Sequence, residues 1–162
     1  MSNNSAKQAL PLWIDSATGH LTLGDHVRLH GGMPEASALA CVASLVPTSE
    51  KVGNVHTAFT VRELSLGGLP AYLTCRFKSH VLYAAAFGVV LPDPELIDGW
   101  PSRNTSEREV AVIRSALRGM LGASFDATQT FRWGDVYAGI QDRDMMASAG
   151  IRYAQVGNVE EI

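Results

Sequence analysis

Three histidines, His20, His26 and His30, fall close together early in the chain. Imidazoles brought together from neighbouring strands could hold a divalent metal, and three such ligands plus water make the shell of a catalytic zinc. No carboxylate at helical spacing accompanies them, and a kink expected at Gly24-Asp25 leaves the position of His20 open. Ordinary surface histidines are therefore the plainer reading. His56 and His80 stand at strand ends and read as turn residues.

Asp142-Arg143-Asp144, with Asp135 nearby, is a second cluster that could carry a metal for nucleotide chemistry. At a hairpin tip, however, such aspartates more often accept hydrogen bonds from their own backbone amides. Ser44 and Ser65 lack the Gly-x-Ser-x-Gly setting of an activated nucleophile. Cys41 and Cys75 both read as small buried hydrophobes, which suits a reducing compartment better than a disulfide. Gly31-Gly32 and Gly67-Gly68 have no lysine at the spacing of a phosphate loop, so a turn explains each. No catalytic residue, cofactor or metal is expected.

Residues suited to recognition are better represented. Arg62, Tyr72, Arg76 and Trp100 are of the types that anchor protein interfaces. Asp135, Asp142 and Asp144 could meet a basic cleft on a partner. Trp133 reads as a core residue.

The stretch that must position these side chains runs from Thr57 to Leu91. Leu69, Ala71, Leu73, Cys75 and Phe77 alternate with Pro70, Tyr72, Thr74, Arg76 and Lys78, the period of a strand with one buried and one wet face. Alternation resumes at Val81, and Gly67-Gly68 supplies a tight turn to a preceding strand, so a three-stranded antiparallel meander is predicted. An opening hairpin over Leu12 to His30, a helix from Pro34 to Val46, a polar loop over Thr48 to Asn54 and a closing hairpin from Phe131 to Ala154 surround it. Ser106-x-x-Glu109 reads as a capping box for a helix over Ser106 to Leu121, stopped by Gly122. The expected fold is α+β: an antiparallel sheet of about six strands with two helices on one face, forming a single domain over 11–156 between a leader at 1–10 and an acidic tail at 157–162.

A chain of 162 residues can bury a core without disulfides, and its net charge of −3, with scattered basic residues, gives no nucleic-acid footprint. It carries no run of apolar residues of membrane-spanning length and no signal-like start, so a cytoplasmic location is expected.

The pieces SATGHLTLGDHV, GGMPEASALACV, LPAYLTCRFKSHVLYAAAFGVV, SEREVAVIRSALRGML and RWGDVYAG with GIRYA occur in an order similar to that of a group of small bacterial immunity-type proteins. Gln141 to Ala147 departs from the group's usual hairpin turn. The resemblance implies a cytosolic, non-enzymatic antidote whose partner is a protein toxin, blocked by occlusion, and it transfers no site residues. Two alternatives are a homo-oligomeric adaptor, such as a homodimer joined through the exposed sheet face, and a metal protein built on His20, His26 and His30.

Overall fold

The computed structural model describes residues 8–154. Most of the leader expected at 1–10, and all of the tail expected at 157–162, lie outside the described residues.

Twelve strands and two helices follow in order. They are β1 (Leu10–Ile14), β2 (Leu21–Leu23), β3 (Val27–Leu29), α1 (Glu35–Val42), β4 (Thr48–Lys51), β5 (His56–Leu66), β6 (Leu69–Lys78) and β7 (Val81–Val89), then β8 (Leu96–Ile97), β9 (Trp100–Pro101), α2 (Arg103–Leu121), β10 (Thr128–Phe131), β11 (Gly134–Ile140) and β12 (Ala147–Tyr153). The class is α+β, as expected, with a mostly antiparallel sheet. That sheet has ten strands rather than about six, in the order β10-β11-β12-β7-β6-β5-β1-β2-β3 with β4 also on β5. The excess comes from β10 added to β11 at one edge, from the opening hairpin dividing into β1, β2 and β3 at the other, and from β4 added to β5. A bulge between Val61 and Leu64 divides the outer edge of β5, so that β4 covers the first half antiparallel and β1 joins the second half parallel through Leu10 and Pro11. The segment expected as a polar loop is β4, whose residues are all exposed and therefore carry no apolar alternation.

β5, β6 and β7 form the expected antiparallel meander, but the start of β7 departs from the alternation expected from Val81. A register shift between Arg76 and Phe77 leaves Val81 exposed, buries Leu82 and puts Tyr83 on the wet face, while Ala85, Phe87 and Val89 are buried. Ala71, Leu73, Cys75 and Phe77 of β6 are buried and stand opposite Leu64, Val61, Phe59 and Thr57 on β5, while Leu73 and Cys75 face Phe87 and Ala85 on β7. Ala38 and Val42 of α1 and Ile113 and Leu117 of α2 join the same core. Val42, Ile113 and Leu117 each contribute about 1.5–3 kcal/mol by leaving water, and Ala38, with a single methyl, about 0.8 kcal/mol.

The two ends of the sheet are brought together. Gly32 and Met33 exchange backbone hydrogen bonds with Leu82 at 2.9 Å, the Tyr153 hydroxyl donates to the Gly19 carbonyl at 2.7 Å, and the Trp133 indole donates to Ser16 at 2.9 Å. Trp133 stacks on Phe131 with centroids 4.6 Å apart and covers Gly19, where φ of 76° and the indole above it both exclude a side chain.

Three local expectations are corrected. α2 begins at Arg103, not Ser106: its cap is Ser102, whose hydroxyl accepts from the Thr105 amide at 3.1 Å. The hydroxyl of Ser106 is buried without a hydrogen-bond partner among the described residues. Cys41 is exposed, because α1 turns only Ala38 and Val42 fully inward. The helix expected to reach Val46 ends at Val42, with Val46 following a 3-10 turn over Ala43–Leu45 at φ 53° and its side chain in solvent.

Candidate interaction surface

The face of the sheet turned away from the core can be followed strand by strand through its register. One row of cross-strand neighbours reads Thr48, Thr60, Thr74, Ala86, Gly150, Tyr137, Thr128. The next, two residues along each strand, reads Glu50, Ala58, Arg76, Ala84, Arg152, Asp135, Thr130. The first row is low, being made of threonine, alanine and glycine apart from Tyr137. The second alternates charges with alanines from Glu50 to Arg152 and then sets Asp135 directly beside Arg152.

Two tyrosines lie flat on this face because each faces a glycine. Tyr72 is paired with Gly88 and Tyr137 with Gly150, and a Cβ on either glycine would run into the opposing phenol. Burial raises the pKa of the Tyr72 hydroxyl, the Glu109 carboxylate raises it further, and Arg62 partly offsets both. Burial likewise raises the pKa of the Glu109 carboxyl. Arg62 itself sits on the β5 bulge, exposed.

Arg76 and Tyr83 stand between two hollows. The one toward β5 holds about 520 Å³ between Glu50, His56, Thr60 and Thr74, with the His56 and Tyr83 rings edge to face at 6.0 Å. The one toward β12 holds about 380 Å³ above Ala84 and Ala86, bounded by Arg76, Tyr83, Tyr137, Gln141, Ser148 and Arg152. The Arg152 guanidinium lies 4.4 Å from the centre of the Tyr137 ring, a cation–π contact.

Trp100 belongs to a separate arm. It pairs with Ile97 across the turn Asp98-Gly99, whose φ values of 55° and 85° match the two positive torsions of a tight hairpin. Leu96, Ile97 and Trp100 are 53%, 62% and 66% exposed. The base of the arm is fixed: Thr105 Oγ1 donates to the Glu95 carbonyl and accepts from the Glu95 amide, both at 2.8 Å, and the Ser102 amide donates to the same carbonyl at 2.9 Å. Pro101 touches the small cleft that also holds Tyr72, Gly88 and Glu109, so the arm rises at one end of the sheet face.

The structure thus places Arg76 and Asp135 in one row and Tyr72 further along the same face. Arg62 is beside Tyr72 in charge, and Trp100 is on the adjoining arm. Asp142 and Asp144 stand apart, exposed at the β11–β12 turn, where Asp144 Oδ1 accepts from the Met146 amide at 3.0 Å. His20 and His30 come within 5.6 Å, ring to ring, since they flank β2 and β3 at the same end of that hairpin, whereas His26 lies in the turn at the other end. Among the described residues no group of three His, Cys, Asp or Glu could hold a metal ion. His80, expected to be a plain turn residue, has its Nδ1 2.8 Å from Glu35 Oε1. Sequence reasoning missed Tyr83, Tyr137 and Arg152, which join Arg76 only through strand order. It also missed Leu96 and Ile97, although Asp-Gly between apolar residues is a hairpin signal.

No family model matches the chain, and no curated protein does. The fold is similar to that of a chain in the solved structure of "Rhs1-CT in complex with cognate immunity protein RhsI1", with a TM-score of 0.51 and 9% identity over 93% of this chain and 94% of that one. At that identity the likeness is one of fold. No helix among the described residues is long and apolar enough to cross a membrane.

Proposed function

We propose that this protein is a non-enzymatic immunity protein, working in the cytosol, that neutralises a protein toxin by covering it with a preformed surface. The observation that carries the reading is the β8–β9 arm. Three large apolar side chains are held in solvent by a hydrogen-bonded base, an arrangement that exposes apolar surface at a cost and returns it when a partner covers it. Because the arm is already ordered, binding loses little further conformational freedom. The fold likeness to a chain from a toxin–immunity complex supports the same reading. Within it, Trp100 is the apolar anchor, Tyr72, Arg62 and Arg76 extend the contact over the sheet face, and Asp135, Asp142 and Asp144 form its acidic margin.

The test is co-expression with the protein encoded by the adjacent reading frame. That protein should stop growth when produced alone, and the wild-type chain should restore growth and co-purify with it in fixed stoichiometry. The variant L96A/I97A/W100A should fold with an unchanged melting temperature yet lose protection, with affinity down at least about a hundredfold, as expected when hot-spot anchors are truncated. Full protection by that variant, or a neighbour that is neither toxic nor bound, would overturn the reading.

A further inference from the structure

We infer that the hollow between Arg76 and Arg152 receives carboxylates from an acidic segment of the protein partner, an assignment that rests on the binding reading above and gives that partner its chemistry. Both arginines flank Ala84 in one cross-strand row, two strand spacings or about 10 Å apart. Flexible guanidinium arms at that separation can converge on one carboxylate, or hold two at alternate positions of an extended segment, about 7 Å apart.

Three observations point to acid. No aspartate or glutamate lines the hollow. In a chain of net charge −3, two arginines above a carboxylate-free floor are a local reversal of sign. The acids nearest in register leave them free: Asp135 is the cross-strand neighbour of Arg152 and Glu50 lies two strands from Arg76, yet among the described residues neither arginine makes an ion pair. Arg152 turns instead onto the Tyr137 ring, which aims its donors over the low row of Ala86 and Gly150. The Arg152 guanidinium is thereby held against the ring while Arg76 is free to move toward it, and among the described residues neither guanidinium has a hydrogen-bond or ion-pair partner, which leaves their planar forks open to bidentate carboxylate recognition. Gln141 and Ser148 at the rim supply neutral hydrogen bonds to the backbone of such a segment.

The experiment titrates the protein, labelled so that arginine Nε–H signals are observed, with capped hexaglutamate, capped hexalysine and inorganic phosphate. Hexaglutamate should shift Arg76 and Arg152 together and bind at least tenfold more weakly to R76Q/R152Q. R76K/R152K, which keeps charge without the planar fork, should fall between. Salt should weaken binding progressively. Hexalysine should not bind, and phosphate should bind at least tenfold more weakly than the peptide. The inference is overturned if hexaglutamate moves neither arginine, if it binds the glutamine variant as well as the wild type, or if phosphate binds as tightly as the peptide, which would make this a small-anion site. In the growth assay, full protection by R76Q/R152Q alongside failure of L96A/I97A/W100A would remove this inference and leave the immunity reading standing. A non-toxic neighbour would remove the immunity reading instead.

Discussion

Replacing Gly150 with alanine places a methyl group where three strands meet. Gly150 on β12 is the register partner of Ala86 on β7 and of Tyr137 on β11. A Cβ there would strike the Ala85 carbonyl oxygen, and would sit 2.7 Å from the Tyr137 hydroxyl and 3.1 Å from Ala86 Cα. A carbon resting against a carbonyl oxygen needs about 3.3 Å or more, so backbone must give way. Forced overpacking costs about 1–3 kcal/mol, and one weakened ladder hydrogen bond about 1 kcal/mol more. Alanine's smaller unfolded-state entropy returns about 0.5–1 kcal/mol. The net loss is about 1–3.5 kcal/mol, which for a chain of this size lowers the melting temperature by roughly 2–14 °C. Gly88→Ala is the control. Its obstacle is the Tyr72 ring, with Cζ at 2.7 Å, and a side chain can swing aside. That variant should lose less than about 1 kcal/mol, since the strain relaxes without moving backbone. Urea and thermal unfolding of both variants measure the contrast. A harmless Gly150→Ala, or equal losses at the two glycines, would refute the argument that strand closeness rather than ring placement fixes glycine at 150.

Ser102→Ala should destabilise by about 1 kcal/mol through loss of the α2 cap. Ser106→Ala should be neutral or stabilising by about 0.5–1 kcal/mol, because it removes an unpartnered buried hydroxyl and improves helix propensity. The opposite ranking in chemical unfolding would return the cap to Ser106. Burial pushes the Cys75 thiol up to about 12, so one thiol, Cys41, should react promptly with a disulfide reagent at pH 8 and the other only on unfolding. The same burial makes stability fall with alkali. Below the ordinary thiol pKa of 9.0 the protein keeps its full stability. Above it the unfolded chain ionises while folded Cys75 stays protonated, so the loss grows up to pH about 12. Tyr153, raised by burial and by its proximity to Cys75, adds to the loss above its ordinary value of 10.0. Cys75→Ala should make the stability–pH curve shallower between pH 9 and 10. Trp100→Ala alone should leave the melting temperature within about 1 °C, since the side chain is largely in solvent, and any larger change would mean that the arm is part of the core.

The meander was legible because β6 is wet on one side and buried on the other, so Leu73 and Arg76 carry opposite chemistry at a spacing only a strand satisfies. Its partners were less so. β4 is exposed along its whole length, and the parallel joining of β1 to β5 depends on a bulge at Arg62-Glu63 that no local pattern marks. Ser106 looked like a cap because the spacing to Glu109 matches the motif. Ser102 takes that role because Thr105 and Glu95 tie the preceding hairpin to the helix. The exposed face was predictable around Tyr72, Thr74 and Arg76, whereas Arg152 and Tyr137 reach it only because β12 inserts between β11 and β7, a fact of topology rather than of sequence neighbourhood.

That insertion divides the molecule by order of assembly. β5, β6 and β7 can pair locally as they are made, and β10, β11 and β12 can do the same later in the chain, loop closure between Ala86 and its partner Gly150 adding its own entropy. The two units meet along a short seam, Gly150, Ile151 and Arg152 against Ala86, Ala85 and Ala84. Arg76 belongs to the early unit and Arg152 to the late one, so a carboxylate bridging them lies across the seam. Such a bridge favours the docked state over any form in which the C-terminal hairpin has come away, by mass action alone. Hydrogen exchange at Ala84 to Ala86 and at Gly150 to Arg152 should therefore slow when the hollow is filled, while the β5–β6 turn at Gly67-Gly68 exchanges as before.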